Sequence, residues 1–163
     1  MADFAHWLLA NGYRVRLFSS QNRADQAPAR ELLELLHAKG VAGNGDLVWA
    51  IDPSAGPGEL IDCIAGCDLV VGARYHSLLV PLALGIPAVA LAYNHKTVEL
   101  MANVGLGRWC FDIDSVTVEE LCALVRRAWQ DWPIHRQEVA RIAERNRTLV
   151  ERQFDLLFGK PEL

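Results

Sequence analysis

The chain has no apolar run approaching the ~20 residues that span a bilayer as a helix. It has little cysteine: Cys63, Cys67, Cys110 and Cys122 are the four in 163 residues. That is too few for a disulfide framework, and a reducing cytoplasm is the compartment it fits. Cys63 and Cys67 stand four apart, but no further Cys or His lies at short spacing, so core packing is expected there and no metal site. Basic charge is not in excess. Sixteen basic and 20 acidic residues give a net charge of −4 with neutral His, which argues against a dedicated nucleic-acid binder. The opening MADFAHWLLANG carries an acid at Asp3 and no basic cluster before its short apolar stretch, unlike a signal peptide. Gly56-Pro57-Gly58 matches neither a dinucleotide fingerprint nor a P-loop. There is no internal repeat, no low-complexity tract and no linker that would divide the chain. What is present is 52% hydrophobic residues, enough for one domain with a real core.

Helical periodicity alternates with short β-rich runs. Residues 3–11 read as a helix stopped by Asn11-Gly12, and Arg14 to Phe18 alternate as a strand does. A polar connector, Ser19 to Gln26, leads to a helix with Pro28 in its first turn, ending at Lys39-Gly40. Asp46 to Ile51 form a second strand, Asp52 to Gly58 a loop, and Glu59 to Ala65 a short helix. Asp68 to Val71 are a near-continuous apolar run, as in a strand covered on both faces. Tyr75 to Leu84, His95 to Val104 and about Ile134 to Leu157 are helical. Between them lie strands at Ala88 to Tyr93 and Trp109 to Phe111. Thr117 opens another helix in a capping box with Glu120. Strands joined by such helices must run parallel with right-handed crossovers. The expectation is an α/β fold: a doubly wound, Rossmann-like parallel sheet of about five strands, with residues 1–163 as a single domain.

Ligands bind such sheets at the carboxyl ends of the strands. After the third strand comes Gly72-Ala73-Arg74-Tyr75-His76-Ser77. Gly72 permits a sharp turn, and Arg74 and His76 fall in the first turn of a helix, where free N–H groups favour anions. A cation opposes the dipole there, a locally unfavourable choice often made for a ligand. The Arg74 guanidinium matches a carboxylate or phosphate bidentately. His76 can donate or shuttle a proton, and Ser77 adds a hydroxyl donor. The alternative is that Arg74 pairs with Asp68 or Asp52 and His76 packs in the core. After the fourth strand, Tyr93-Asn94-His95-Lys96-Thr97 again places a cation at a helix start. Here too Tyr93 could be edge packing and His95 a solvated residue. Two such loops converge on one spot and together favour an anion-binding pocket. Ser19-Ser20-Gln21-Asn22 could also donate to a ligand or be an ordinary polar turn, and Asp52-Pro53-Ser54 has turn chemistry only. His6, His37 and His135 are isolated and read as structural or solvated.

Cys67 to Leu106, CDLVVGARYHSLLVPLALGIPAVALAYNHKTVELMANVGL, resembles the carboxyl-terminal half of the polysaccharide pyruvyl transferase family. The resemblance is carried by the strand Asp68 to Gly72, the R-x-H-S turn of Arg74, His76 and Ser77, Gly85-Ile86-Pro87, Tyr93, and Lys96 three residues on. Flanking elements agree in order over roughly Arg14 to Ala128. The family is similar to two-domain GT-B glycosyltransferases. The resemblance implies one half of a GT-B-like fold, with the amino-terminal domain of comparable size absent from this chain. It implies transfer of a pyruvyl group from phosphoenolpyruvate, as co-substrate, to hydroxyls of a sugar in exopolysaccharide or cell-wall polymer biosynthesis. Arg74 and His76 would contact phosphoenolpyruvate, with Gly72, Ser77, Tyr93 and Lys96 completing the site. No cofactor and no metal are implied. The expected location is the cytoplasm or the inner face of the membrane, and the expected partners are a glycan acceptor and a partner domain or second copy.

Two other readings use the same residues. A nucleotide-sugar glycosyltransferase or epimerase-like domain would share the architecture but should carry an acidic ribose clamp, which is not evident. A non-catalytic interaction module would expose an apolar patch, expected around Phe4, Trp7, Trp129 and Trp132. From Arg126 to Arg152 seven Arg face four acids. This reads as a solvated helix with pairs such as Glu138 with Arg141 and Glu144 with Arg147, or as contact with another domain or an anionic membrane.

Overall fold

A computed structural model describes residues 1–19, 26–41, 47–49 and 56–159. Ser20, Gln21, Asn22, Asp52, Pro53 and Ser54, and the expected strand ends Asp46 and Ile51, lie outside the described residues. In chain order the elements are α1 (Ala2–Ala10), β1 (Val15–Leu17), α2 (Gln26–Ala38), β2 (Leu47–Trp49), α3 (Pro57–Ala65), β3 (Val70–Gly72) and α4 (Tyr75–Ala83). There follow β4 (Ala88–Ala92), α5 (His95–Asn103), a 3-10 turn (Gly107–Trp109), β5 (Cys110–Asp112), α6 (Val118–Gln130) and α7 (Trp132–Phe158).

The chain is a mixed α/β protein with parallel pairing between strands that helices connect. In β1 and β2, Val15 lies opposite Leu47. In β3 and β4, Val70 lies opposite Ala88 and Gly72 opposite Ala90. A single sheet of about five strands is expected from the sequence. Among the described residues the hydrogen-bonded strands form two groups, β1-β2 and β3-β4-β5. The chain correspondingly divides into two compact units. One is Met1–Gly66 with Asp112–Gln130, the other Cys67–Phe111 with Asp131–Leu163.

In the first unit, α1 buries Phe4 and Ala5, α2 buries Leu36, α3 buries Cys63 and Ile64, and α6 buries Leu121, Cys122, Leu124, Val125 and Ala128. The tryptophans expected to form an exposed patch are instead engaged. Trp7 lies beside Tyr13, Tyr13 stacks on Trp129 at 5.9 Å, and the Arg126 guanidinium sits over Trp7 at 4.8 Å. The ring and cation–π contacts leave Trp7 and Trp129 half-buried; Phe4 is buried, and in the second unit Trp132 is half-buried with the Arg136 guanidinium over it at 4.8 Å. From β1, Arg16 donates to the Cys63 carbonyl at 3.1 Å, near the end of α3 where helix carbonyls lack an intrahelical N–H donor. Helix α6 opens with the expected capping box. The Thr117 N–H donates to the Glu120 carboxylate at 2.8 Å, and the Glu120 N–H to the Thr117 hydroxyl at 3.2 Å. The Thr117 N–H and, at 3.0 Å, the Thr117 hydroxyl both donate to the Glu120 carboxylate and hold it below its ordinary pKa.

In the second unit every residue of β4 is buried, and all five are small or β-branched. Helix α4 ends at Gly85, whose φ of +73° suits glycine alone and brings it against Ala140 of α7. Helix α7 buries His135 and Val139. The His135 ring stacks on Trp109 with centroids 4.3 Å apart and planes 8° from parallel. Expected as an isolated residue, it is one of the most deeply buried. Glu138 pairs with Arg108 from the 3-10 turn, not with Arg141, whereas Glu144 pairs with Arg147 at 2.6 Å as expected.

Two predictions follow from these contacts. Thr117→Ala removes the cap of α6 and should lower unfolding stability by about 1 kcal/mol in urea titration. Burial, opposed by Glu138, holds the His135 pKa below its ordinary 6.5. Folded His135 therefore stays neutral while the unfolded chain gains a proton, so stability is full above pH ~6.5 and falls as pH drops below it. His135→Phe should remove that part of the pH dependence when urea midpoints are compared between about pH 7.5 and 5.5.

Candidate functional site

The site lies in the second unit, at the carboxyl edge of β3 and β4. Adjacent parallel strands run about 4.8 Å apart. The register of Gly72 opposite Ala90 brings the segments after both strands to the same sheet edge. The first leads into α4 and the second into α5, and these helices pack together.

Arg74 is the N-cap of α4, with extended backbone (φ −85°, ψ 146°), and its side chain makes no capping hydrogen bond. It is partly buried. Tyr75 and His76 occupy the first turn and are exposed, their rings edge to face at 5.7 Å. His76 is therefore not a core histidine. The Ser77 hydroxyl, expected to donate to a ligand, instead donates to the Arg74 carbonyl at 2.7 Å from a buried position. Its proton is spent on holding the turn that presents Arg74. Gly72 is buried beneath it, and a Cβ at residue 72 would lie 2.7 Å from the Ser77 oxygen. The missing side chain is what lets strand end and helix start approach so closely.

At the second strand end Tyr93 is 56% exposed, and His95 and Lys96 are exposed in the first turn of α5. Asn94 caps this helix, its amide oxygen accepting from the Thr97 N–H at 3.2 Å. Thr97 is fully buried. Sequence reasoning passed over Asn94 and Thr97, although Asn immediately before a helical run is a recognisable N-cap signal.

The two helix starts thus differ. Helix α5 satisfies an amide with its own cap, whereas α4 begins with an arginine in place of a capping acceptor. Helix starts in general leave first-turn N–H groups without an intrahelical acceptor, and such ends favour anions. Gly72, Arg74, His76 and Ser77 stand at or just after the end of β3, and Tyr93 and Lys96 just after the end of its neighbour β4. Among the described residues no group of three or more His, Cys, Asp or Glu is placed to hold a metal ion.

A sequence profile of the polysaccharide pyruvyl transferase family matches residues 1–95. The chain belongs to the polysaccharide pyruvyl transferase family. That match contains Gly72, Arg74, His76, Ser77 and Tyr93, and ends one residue before Lys96. This pyruvyl transferase family member is also similar to the amylovoran biosynthesis protein AmsJ of Erwinia amylovora, at 35% identity over 91 residues. The aligned region is 56% of this chain and 22% of that relative's length. No solved structure matches the chain.

The Gly72–Ser77 contact makes a specific demand. Gly72→Ala should destabilise the domain by about 1–3 kcal/mol through overpacking. The cost should shrink when combined with Ser77→Ala, which removes the clashing oxygen. A double-mutant cycle on thermal or urea unfolding reads that coupling directly.

Proposed function

We propose that this chain is the donor-binding part of an enzyme that transfers a pyruvyl group from phosphoenolpyruvate to a sugar in exopolysaccharide or cell-wall polymer biosynthesis. Family membership supports the transferase class, and the name of AmsJ places that relative in polymer biosynthesis. The observation that carries the donor assignment is the pairing of two cation-bearing helix starts on adjacent parallel strand ends, Arg74 on one and Lys96 on the other. Phosphoenolpyruvate has two anionic groups, a carboxylate and a phosphate, and two cationic loops suit it.

In this reading Arg74 and the opening amides of α4 hold one anionic group, and Lys96 neutralises the phosphate as it leaves. His76, exposed in the first turn of α4, acts as general acid and base. A proton adds to the methylene carbon, and positive charge develops at the carbon bearing the phosphate. A sugar hydroxyl attacks that carbon and loses its proton. A second hydroxyl then closes the cyclic ketal as the carbon–oxygen bond to phosphate breaks and inorganic phosphate departs. Tyr93 lines the acceptor side, while Gly72 and Ser77 shape the turn. No cofactor takes part in these steps.

The same reading makes the chain one half of a GT-B-like architecture, with its strands belonging to a doubly wound, Rossmann-like layout. Acceptor binding would then fall to a partner domain. Its place of work is the cytoplasm at the inner face of the membrane.

Thermal-shift titration tests the donor assignment. Phosphoenolpyruvate should raise the melting temperature, with stabilisation reaching about 2.7 kcal/mol at a hundredfold excess over Kd, and inorganic phosphate should do so more weakly. A response confined to uridine diphosphosugars would transfer the site to a glycosyltransferase. In an enzyme containing both domains, His76→Ala should reduce turnover by about 10²–10⁴-fold; unchanged turnover would remove His76 from the proton transfers.

A further inference from the structure

We propose that the second half of α7 is an amphipathic helix that binds an anionic membrane surface. The packed part of α7 ends early, with His135 and Val139 buried and Ala140 against Gly85. Further along, Leu149, Val150, Phe154, Leu156, Leu157 and Phe158 are all exposed, the last three at 86%, 76% and 77%. Leu149 and Leu156 are seven residues apart and share one line with Ile142, while Val150 and Leu157 lie about 100° further round, beyond the uncharged Asn146 and Gln153. Phe154 and Phe158 extend the same apolar arc, their rings 5.7 Å apart.

The charges on this helix are sorted. Glu144 and Glu151 both pair with Arg147, at 2.6 and 3.8 Å, Glu138 pairs with Arg108, and Asp155, half-buried three residues after Arg152, makes no ion pair with it. Arg141, Arg145 and Arg152 are exposed and have no ion pair among the described residues. They form one stripe, and Arg145 and Arg152 each stand four residues before a leucine of the apolar line, Leu149 and Leu156. A basic stripe therefore borders the apolar arc.

That arrangement chooses between occupants. If a second copy paired through the Ile142, Leu149 and Leu156 line, Arg145 and Arg152 would flank the seam. In a parallel pair they would face Val150 and Leu157, which offer no acid; in an antiparallel pair they would face each other. An anionic lipid layer satisfies both features, since headgroup phosphates meet the guanidinium groups while the leucines and phenylalanines enter the acyl boundary. The helix lies on the surface in this mode. No helix among the described residues is long and apolar enough to cross a membrane.

Co-sedimentation of the purified chain with vesicles tests this without reference to the donor site. Vesicles of phosphatidylcholine with an equal share of phosphatidylglycerol should retain the chain, and phosphatidylcholine alone should not. Arg145→Glu with Arg152→Glu should weaken retention about tenfold or more, as should Phe154→Ser with Leu157→Ser. All four positions are exposed, so circular dichroism melting should be unchanged. Absence of retention, or equal retention by the two vesicle types, would overturn the proposal. So would a dimer, seen by light scattering and split by Leu149→Asp, in a chain that ignores vesicles.

Discussion

The parallel pairing of β3 with β4 is the constraint on which the site depends. Its register sets Gly72 and Ala90 side by side, so the chain leaves both strands at one edge and enters two helices there. Burial of β4 along its whole length holds that edge still. A slip of one residue would move each β4 side chain to the opposite sheet face and shift the end of β4 by about 3.3 Å against that of β3. The chemistry proposed for the chain therefore rests on backbone hydrogen bonds between residues that take no part in it.

Electrostatics then separates the two helix starts. Asn94 does for α5 what a capping residue ordinarily does, and buried Thr97 completes the arrangement. At α4 the capping position is held by Arg74, whose side chain makes no capping hydrogen bond. In the proposed reading an anion would meet the opening amides of α4 and the guanidinium together. The Ser77 bond to the Arg74 carbonyl fixes the turn that presents them.

Much of this was legible in sequence, for physical reasons that differ between elements. Helices and strands of both units follow from period and punctuation: apolar Val70 and Val71 and Gly85 after α4 in the second, and Thr117 with Glu120 at the start of α6 in the first. Local signals suffice because capping and strand alternation act over a few residues. The grouping of strands into β1-β2 and β3-β4-β5 was not legible, since register and pairing are long-range. The same holds for single side chains. Ser77 reads as a donor on a loop, yet its partner is decided by how closely Gly72 lets the strand approach. Glu138 has Arg141 three residues on, yet Arg108, thirty residues away, takes it. Trp7 and Trp129 look like spare aromatic surface until Tyr13 is found beside both.

Helix α7 shows how one element can serve two purposes. Its first half is committed to the second unit through the His135–Trp109 stack, the Arg108–Glu138 pair and Val139. Keeping His135 neutral and buried has a desolvation cost, which burial of the flat Trp109 face offsets. That investment anchors a 27-residue helix by one end. Folding alone does not account for the other end, because each large apolar side chain left in water forgoes about 1.5–3 kcal/mol that burial would contribute. Solvent-facing helix positions are ordinarily polar. Exposed apolar residues on that half, beside Arg141, Arg145 and Arg152, which make no ion pair among the described residues, are the surface from which membrane binding is proposed. The register of that arc is set by the same α4–α7 packing that fixes Gly85, so the element that carries Arg74 at its start is packed against the helix that would meet the lipid.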